Sequence, residues 1–256
     1  MDYTIYLIPI ISLVGLAYLG YRYINLFMKI NKLEDEFSSI VNHTFRTPLT
    51  RIMWLAKELE VDLPLDQKLS HIQNINNATE RVLGIIDVVA GIKNISDISG
   101  YYFEAVSLRE IVEKSIEKYR DRIKGKDIVF NVSSFQNIPL LSVDLKKISF
   151  VVDTLIENAI FYTHKDGQII IDSNASEEEL IFSVSDNGIG LTPIDKLRIF
   201  SRFYRNKQAV LMNTDGMGLC LYLSKKIIKR HHGKIYAKSR GYQKGSTFFM
   251  VLPFKK

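Results

Sequence analysis

The sequence predicts an α+β protein in three parts: a membrane-spanning helix, a helical hairpin, and a domain of helices on one side of a mixed sheet. Three observations carry that reading. A charge-free apolar run opens the chain, two apolar stripes at helical spacing follow, and beyond residue 100 helical patterns alternate with short β-rich runs.

From Tyr3 to Tyr21 there are nineteen residues without a charge, dominated by Ile, Leu and Val. About 20 helical residues cross a bilayer core, so this run suffices. A cleavable signal would start basic and end in a small-residue cleavage site, whereas this chain starts with Asp2 and has nothing like Ala-x-Ala. Arg22, Lys29 and Lys32 follow the run, and the positive-inside rule places what comes after them in the cytoplasm. The expectation is a single-pass protein of the cytoplasmic (inner) membrane anchored by residues 1–28. Only Met1 and Asp2 would lie outside, leaving no room for an outer sensor domain.

Residues 29–94 carry the stripes. Ile30, Leu33, Phe37, Ile40, Val41, Phe45, Leu49, Ile52, Leu55 and Leu59 recur at helical spacing. The break Val61–Asp66, with Pro64, separates them from Leu69, Ile72, Ile75, Val82, Ile86 and Val89. Two long helices and a short loop make an antiparallel hairpin. Two exposed apolar stripes are not a core, and a homodimeric four-helix bundle would bury them.

After the linker Asn94–Gly100, residues 100–256 change character. Ser107 and Glu110 have capping-box spacing and open a helix that Gly125 can close. Ile128–Val132, Gln168–Asp172, Leu180–Val184 and Ser246–Leu252 read as strands, and Leu145–Tyr162 and Leu219–His231 as helices. The net charge of +6 is spread out with no basic–aromatic run, which gives nucleic-acid binding no support. Lone Cys220 excludes an intramolecular disulfide and reads as a small buried filler.

His43 stands nine residues before Ile52, half a turn of the wheel away, so it points off the apolar stripe. Pro48 sits mid-helix, where it deletes the bond to the Thr44 carbonyl, and Thr47 shares the face of His43. The stretch FSSIVNHTFRTPLT (37–50) resembles the phospho-acceptor box of sensor histidine kinases, matching at His43, Arg46, Thr47, Pro48 and Leu49. The resemblance implies that His43 takes the γ-phosphoryl of ATP and passes it to an aspartate on a response-regulator receiver domain. It also implies that Thr47 helps dephosphorylate that regulator. Thr44 stands where the family has Glu or Asp; it accepts a hydrogen bond but is no base near neutral pH. That departure implies slowed autophosphorylation and leaves a non-catalytic or phosphatase-biased regulator-binding module as the alternative.

Three further segments resemble the boxes of the GHKL ATP-binding sandwich. In TLIENAIFYT (154–163), Asn158 matches the Mg²⁺ ligand and Tyr162 an aromatic that packs on adenine. In SDNGIGL (185–191), Asp186 matches the acceptor for the adenine amino group, with Gly188 and Gly190 in the turn. In DGMGLCL (215–221), Gly216, Gly218 and Leu219 match the phosphate loop at a helix N-terminus. Between them IFSRFYR (199–205) resembles the lid segment, with Arg202 and Arg205 as cations for the triphosphate. Thr154, Phe161 and Cys220 depart from the family pattern; a chaperone- or repair-type ATPase of this fold would want an acid at Thr154. His231 and His232 read as capping and dipole partners. The resemblance implies an ATP- and Mg²⁺-dependent histidine kinase.

Overall fold

The computed structural model describes residues 44–95, 100–133, 135, 138–212 and 216–254, plus isolated helical positions at 21–23, 25, 28, 39, 41 and 42. The expected membrane span and His43 lie outside the described residues. Among the described residues no helix is long and apolar enough to cross a membrane. The chain forms two compact units, one ending at Val82 and one beginning at Leu83.

In the first unit, helix α1 (residues 44–58) runs through Pro48, and a loop at 59–64 leads into α2 (Leu65–Ile95), which belongs to this unit as far as Val82. Two side-chain bridges tie the helices: Glu58 to His71 at 2.6 Å, and Arg51 to Asn74 at 3.4 Å. Thr44 is buried at 5%. A helix turns 100° per residue, so Thr44 shares a face with Pro48, which is also buried. Leu49, Leu69 and Ile72 of the two stripes stand exposed, as do Met53 and Trp54.

The second unit is a two-layer sandwich. Its main sheet has the order β2 (Val129–Val132), β4 (Gln168–Ala175), β5 (Glu179–Asp186), β7 (Ser246–Pro253), β6 (Lys234–Lys238). β2 and β4 are parallel and the other pairs antiparallel, which is the mixed sheet the sequence predicts. β1 (Glu104–Val106) and β3 (Leu141–Val143) form a separate antiparallel pair. Along β5, Leu180, Phe182 and Val184 alternate inward, where α5 (Leu145–Tyr162) packs on the sheet between α3 (Leu108–Lys118) and α8 (Cys220–Arg230).

α5 matches its predicted span because its ends are chemically marked: Asp144 Oδ1 accepts from Lys147 N–H at 3.0 Å, and the helix stops before extended Thr163. Ser107 caps α3 as expected, but that helix ends at Lys118, and α4 (Arg120–Gly125) is a separate turn. His231 terminates α8 as predicted, yet its ring does more than cap. Buried against Tyr101 and Phe103, it donates from Nδ1 to Ile227 O at 2.9 Å and accepts Asp144 N–H on Nε2 at 3.0 Å. It thereby ties the C-terminus of α8 to the N-terminus of α5.

Candidate functional site

Register brings the first part of the site together. Asp186, at the end of β5, pairs with Ser246, at the start of β7. Its Oδ2 accepts the Ser246 hydroxyl at 2.6 Å, and its Oδ1 accepts N–H groups from Gly188 at 2.9 Å and Ser246 at 3.3 Å. Burial pushes the carboxyl above the ordinary range, with those donors opposing. The result is an oriented carboxylate with lone pairs to spare for a ligand donor.

The turn after Asp186 is pressed against the C-terminus of α5. Ile189 N–H donates to Tyr162 O at 3.3 Å, and a Cβ on Gly188 would lie 2.1 Å from that oxygen, so only glycine fits there. Leu191 N–H donates to Ser239 Oγ at 3.0 Å, which donates to Gly245 O at 2.6 Å, fixing the turn from the other side. Lys126 Nζ caps α5 by donating to the carbonyls of Ile160, Phe161 and Thr163 at 2.8, 2.8 and 2.9 Å.

Asn158 lies one turn before Tyr162. Its amide nitrogen donates to Thr154 O at 2.8 Å, which leaves the side-chain oxygen as the acceptor for a cation. Among the described residues no group of three His, Cys, Asp or Glu converges. Mg²⁺ fits such a place where substrate phosphates supply other oxygens, since it is commonly held by one or two protein groups plus phosphates.

The second part is the loop before α8. Gly218 adopts φ +65°, and its carbonyl accepts Phe203 N–H at 3.0 Å, joining this loop to the segment after α6 (Pro193–Arg198). Gly216 stands beside Arg205, and Leu219 is buried at the helix entrance. Cys220 opens α8, and burial pushes its thiol up to about 11, an inert group as expected.

Both predicted cations meet partners within the fold. Arg205 Nη1 donates to Gly216 O at 2.8 Å and Nη2 to Ala209 O at 2.6 Å. The nearby Arg205 charge opposes the upward push of burial on the Tyr162 phenol. Arg205 therefore ties the Gly216 loop to the segment that carries Ala209. Arg202 lies over the Tyr222 ring at 4.9 Å and is exposed. Thr47 is an exposed residue of α1, described apart from this site. Ser246, Ser239 and Lys126 are site residues the sequence reading did not single out. Only Ser246, next to the turn glycine, carried a local signal.

Residues 143–256 match the family described as histidine kinase-, DNA gyrase B- and HSP90-like ATPase. The chain is 29% identical over 239 residues to the sensor histidine kinase WalK of Bacillus subtilis, covering 89% of this chain and 38% of that protein. It is 28% identical over 245 residues to the sensor-like histidine kinase ycf26 of Pyropia yezoensis, covering 90% of this chain and 37% of that one. It thus spans little more than a third of the curated relatives' length. A crystal structure of histidine kinase ThkA in complex with the response regulator protein TrrA matches with TM-score 0.64 and 25% identity, over 86% of this chain and 61% of that one.

Proposed function

We infer that this chain, whose residues 143–256 are a histidine kinase-, DNA gyrase B- and HSP90-like ATPase domain and whose relatives are named sensor histidine kinases, is an ATP-dependent protein-histidine kinase. The observation that carries the reading is Asp186, a half-buried carboxylate held by Ser246 and Gly188 at the start of the turn that meets the Tyr162 carbonyl. Adenine presents an amino donor to such an acceptor; guanine would present an acceptor and leave the carboxylate unpaired.

Gly216 and Gly218 offer close backbone approach to the phosphates at the entrance of α8, and Asn158 holds the cation. Bound Mg²⁺ supplies neutralisation of charge on the phosphate oxygens. A ring nitrogen of neutral His43 attacks the γ-phosphorus, a P–N bond forms, and the bond to the ADP oxygen breaks with its electron pair leaving on ADP. The phosphoryl group then passes to an aspartate of a response regulator, the partner class present in the ThkA complex. Exposed Leu49, Met53, Trp54, Leu69 and Ile72 on the hairpin support a homodimer in which a second copy buries them. The uncharged run Tyr3–Tyr21 supports a single membrane anchor with the following domains cytoplasmic.

One observation favours the alternative of a non-catalytic or phosphatase-biased module: Thr44, in place of the family's acid, is buried. Incubation with γ-labelled ATP decides. Acid-labile, base-stable label on the wild type, lost in His43→Ala, supports the kinase. No label despite normal ATP binding, and none in Thr44→Glu, supports the module.

A further inference from the structure

A buried carboxylate between the glycine loops has no part in the chemistry above. Asp195, on α6, is 4% exposed. Its Oδ2 accepts the Thr192 N–H and hydroxyl, both at 2.8 Å, and Thr192 Oγ accepts Asp195 N–H in return. That capping box would suffice to start the helix. Two more donors reach Asp195 from beyond α6: the Tyr204 hydroxyl, on Oδ1 at 2.7 Å, and Asn206 Nδ2, on Oδ2 at 3.4 Å. They flank Arg205. Asn206 Oδ1 also accepts Ala209 N–H at 2.6 Å, and the Ala209 carbonyl is one of the two that hold the Arg205 guanidinium.

One carboxylate therefore grips the residue on each side of the arginine that holds the Gly216 and Ala209 carbonyls. We propose that Asp195 is a positioning residue for the phosphate-binding half of the site, acting through Tyr204 and Asn206 to set Arg205 and, through it, the Gly216 loop. A helix cap alone does not account for these bonds, since neither Tyr204 nor Asn206 belongs to α6. The hydrogen bonds also outweigh burial and hold the Asp195 carboxyl below the ordinary range, so it stays ionised and able to accept all of them near neutral pH.

The inference rests on the ATP-site reading, and adenosine separates the two, because it engages the Asp186 side and has no phosphate. The affinities of the full chain for ATP, ADP and adenosine are compared with those of Asp195→Asn and Tyr204→Phe. Supporting groups at ligand sites act on the scale of roughly tenfold to a hundredfold. Asp195→Asn is expected to lose ATP and ADP affinity by about that factor with adenosine unchanged, and Tyr204→Phe to lose less in the same pattern. In an Arg205→Ala background, Asp195→Asn should add nothing further. Equal losses for adenosine and ATP, unchanged ATP affinity, or full additivity with Arg205→Ala would each overturn the proposal. Retained adenosine binding reports a folded variant, and Tyr204→Phe, which keeps the cap, carries the test if Asp195→Asn does not fold. A wild-type chain that binds none of the three ligands overturns the ATP-site reading and this inference together.

Discussion

On the hairpin, Met53 and Trp54 stand 71% and 69% exposed, whereas in the sandwich Phe182 and Leu155 have no exposure at all. Both units contain apolar residues at regular spacing, but the sandwich has two layers to close over them and the hairpin has only its own two helices. An apolar stripe gains stability by being removed from water, at roughly 25 cal/mol per Å², so a unit that leaves its stripes outside is incomplete alone. The contrast teaches that the sandwich closes its own core, whereas the hairpin leaves large apolar side chains in water.

The sharpest break of that contrast is Asp186→Asn. Its carboxylate already accepts from Ser246 twice and from Gly188, and a carboxamide offers only one acceptor atom. With its oxygen at the Oδ1 position the carboxamide can donate to the Ser246 hydroxyl, but it then turns N–H groups, where the carboxylate had lone pairs, towards a ligand donor, at about 1–3 kcal/mol for each donor left unpaired. ATP affinity should fall on the order of 10²-fold or more by calorimetry, with self-association of the chain unaffected.

The next test compares truncations in the two units. Phe182→Ala empties a fully buried site and should cost about 3–5 kcal/mol in denaturant unfolding of the sandwich. Trp54→Ala removes an exposed ring and should leave that transition in place while weakening self-association in sedimentation equilibrium. A Trp54→Ala chain that associates as tightly as the wild type would remove Trp54 from the dimer surface.

What the sequence made legible follows the same divide between local and distant causes. α5 reads correctly because Asp144 caps it and its apolar period is strong over its whole length. The strands Glu104–Val106, Leu141–Val143 and Lys234–Lys238 do not, because each is short and defined by its partner. Lys234–Lys238 is strand through its pairing with β7, where Tyr236 stacks on Phe249 at 4.8 Å. At the site, Asp186, Asn158 and the glycines are visible as motifs. The bonds of Arg205 to Gly216 and Ala209, and the grip of Lys126 on α5, are not, since no local pattern states which carbonyls a cation meets.

The smallest expected effect lies at the hairpin turn and follows from His71. Its Nδ1 meets Gln67 O at 2.7 Å and its Nε2 meets Glu58 Oε2 at 2.6 Å. Both partners are acceptors, so only the protonated ring, with two N–H groups, can donate to both. The Glu58 bond first, and the Gln67 carbonyl second, raise the His71 pKa above its ordinary value of 6.5, against a smaller opposing effect of burial. A folded-state pKa above the unfolded one means stabilisation that is fully present below pH 6.5 and is lost as pH rises through the folded value. The bridge between the helices therefore loosens on the alkaline side of the folded value. NMR titration of the His71 ring in the full chain should give a midpoint above 6.5, and Glu58→Gln should bring it down towards that value. A midpoint at or below 6.5 with Glu58 intact would mean that the charged bridge is not made, and the hairpin would then depend on its second surface even more than the exposed stripes imply.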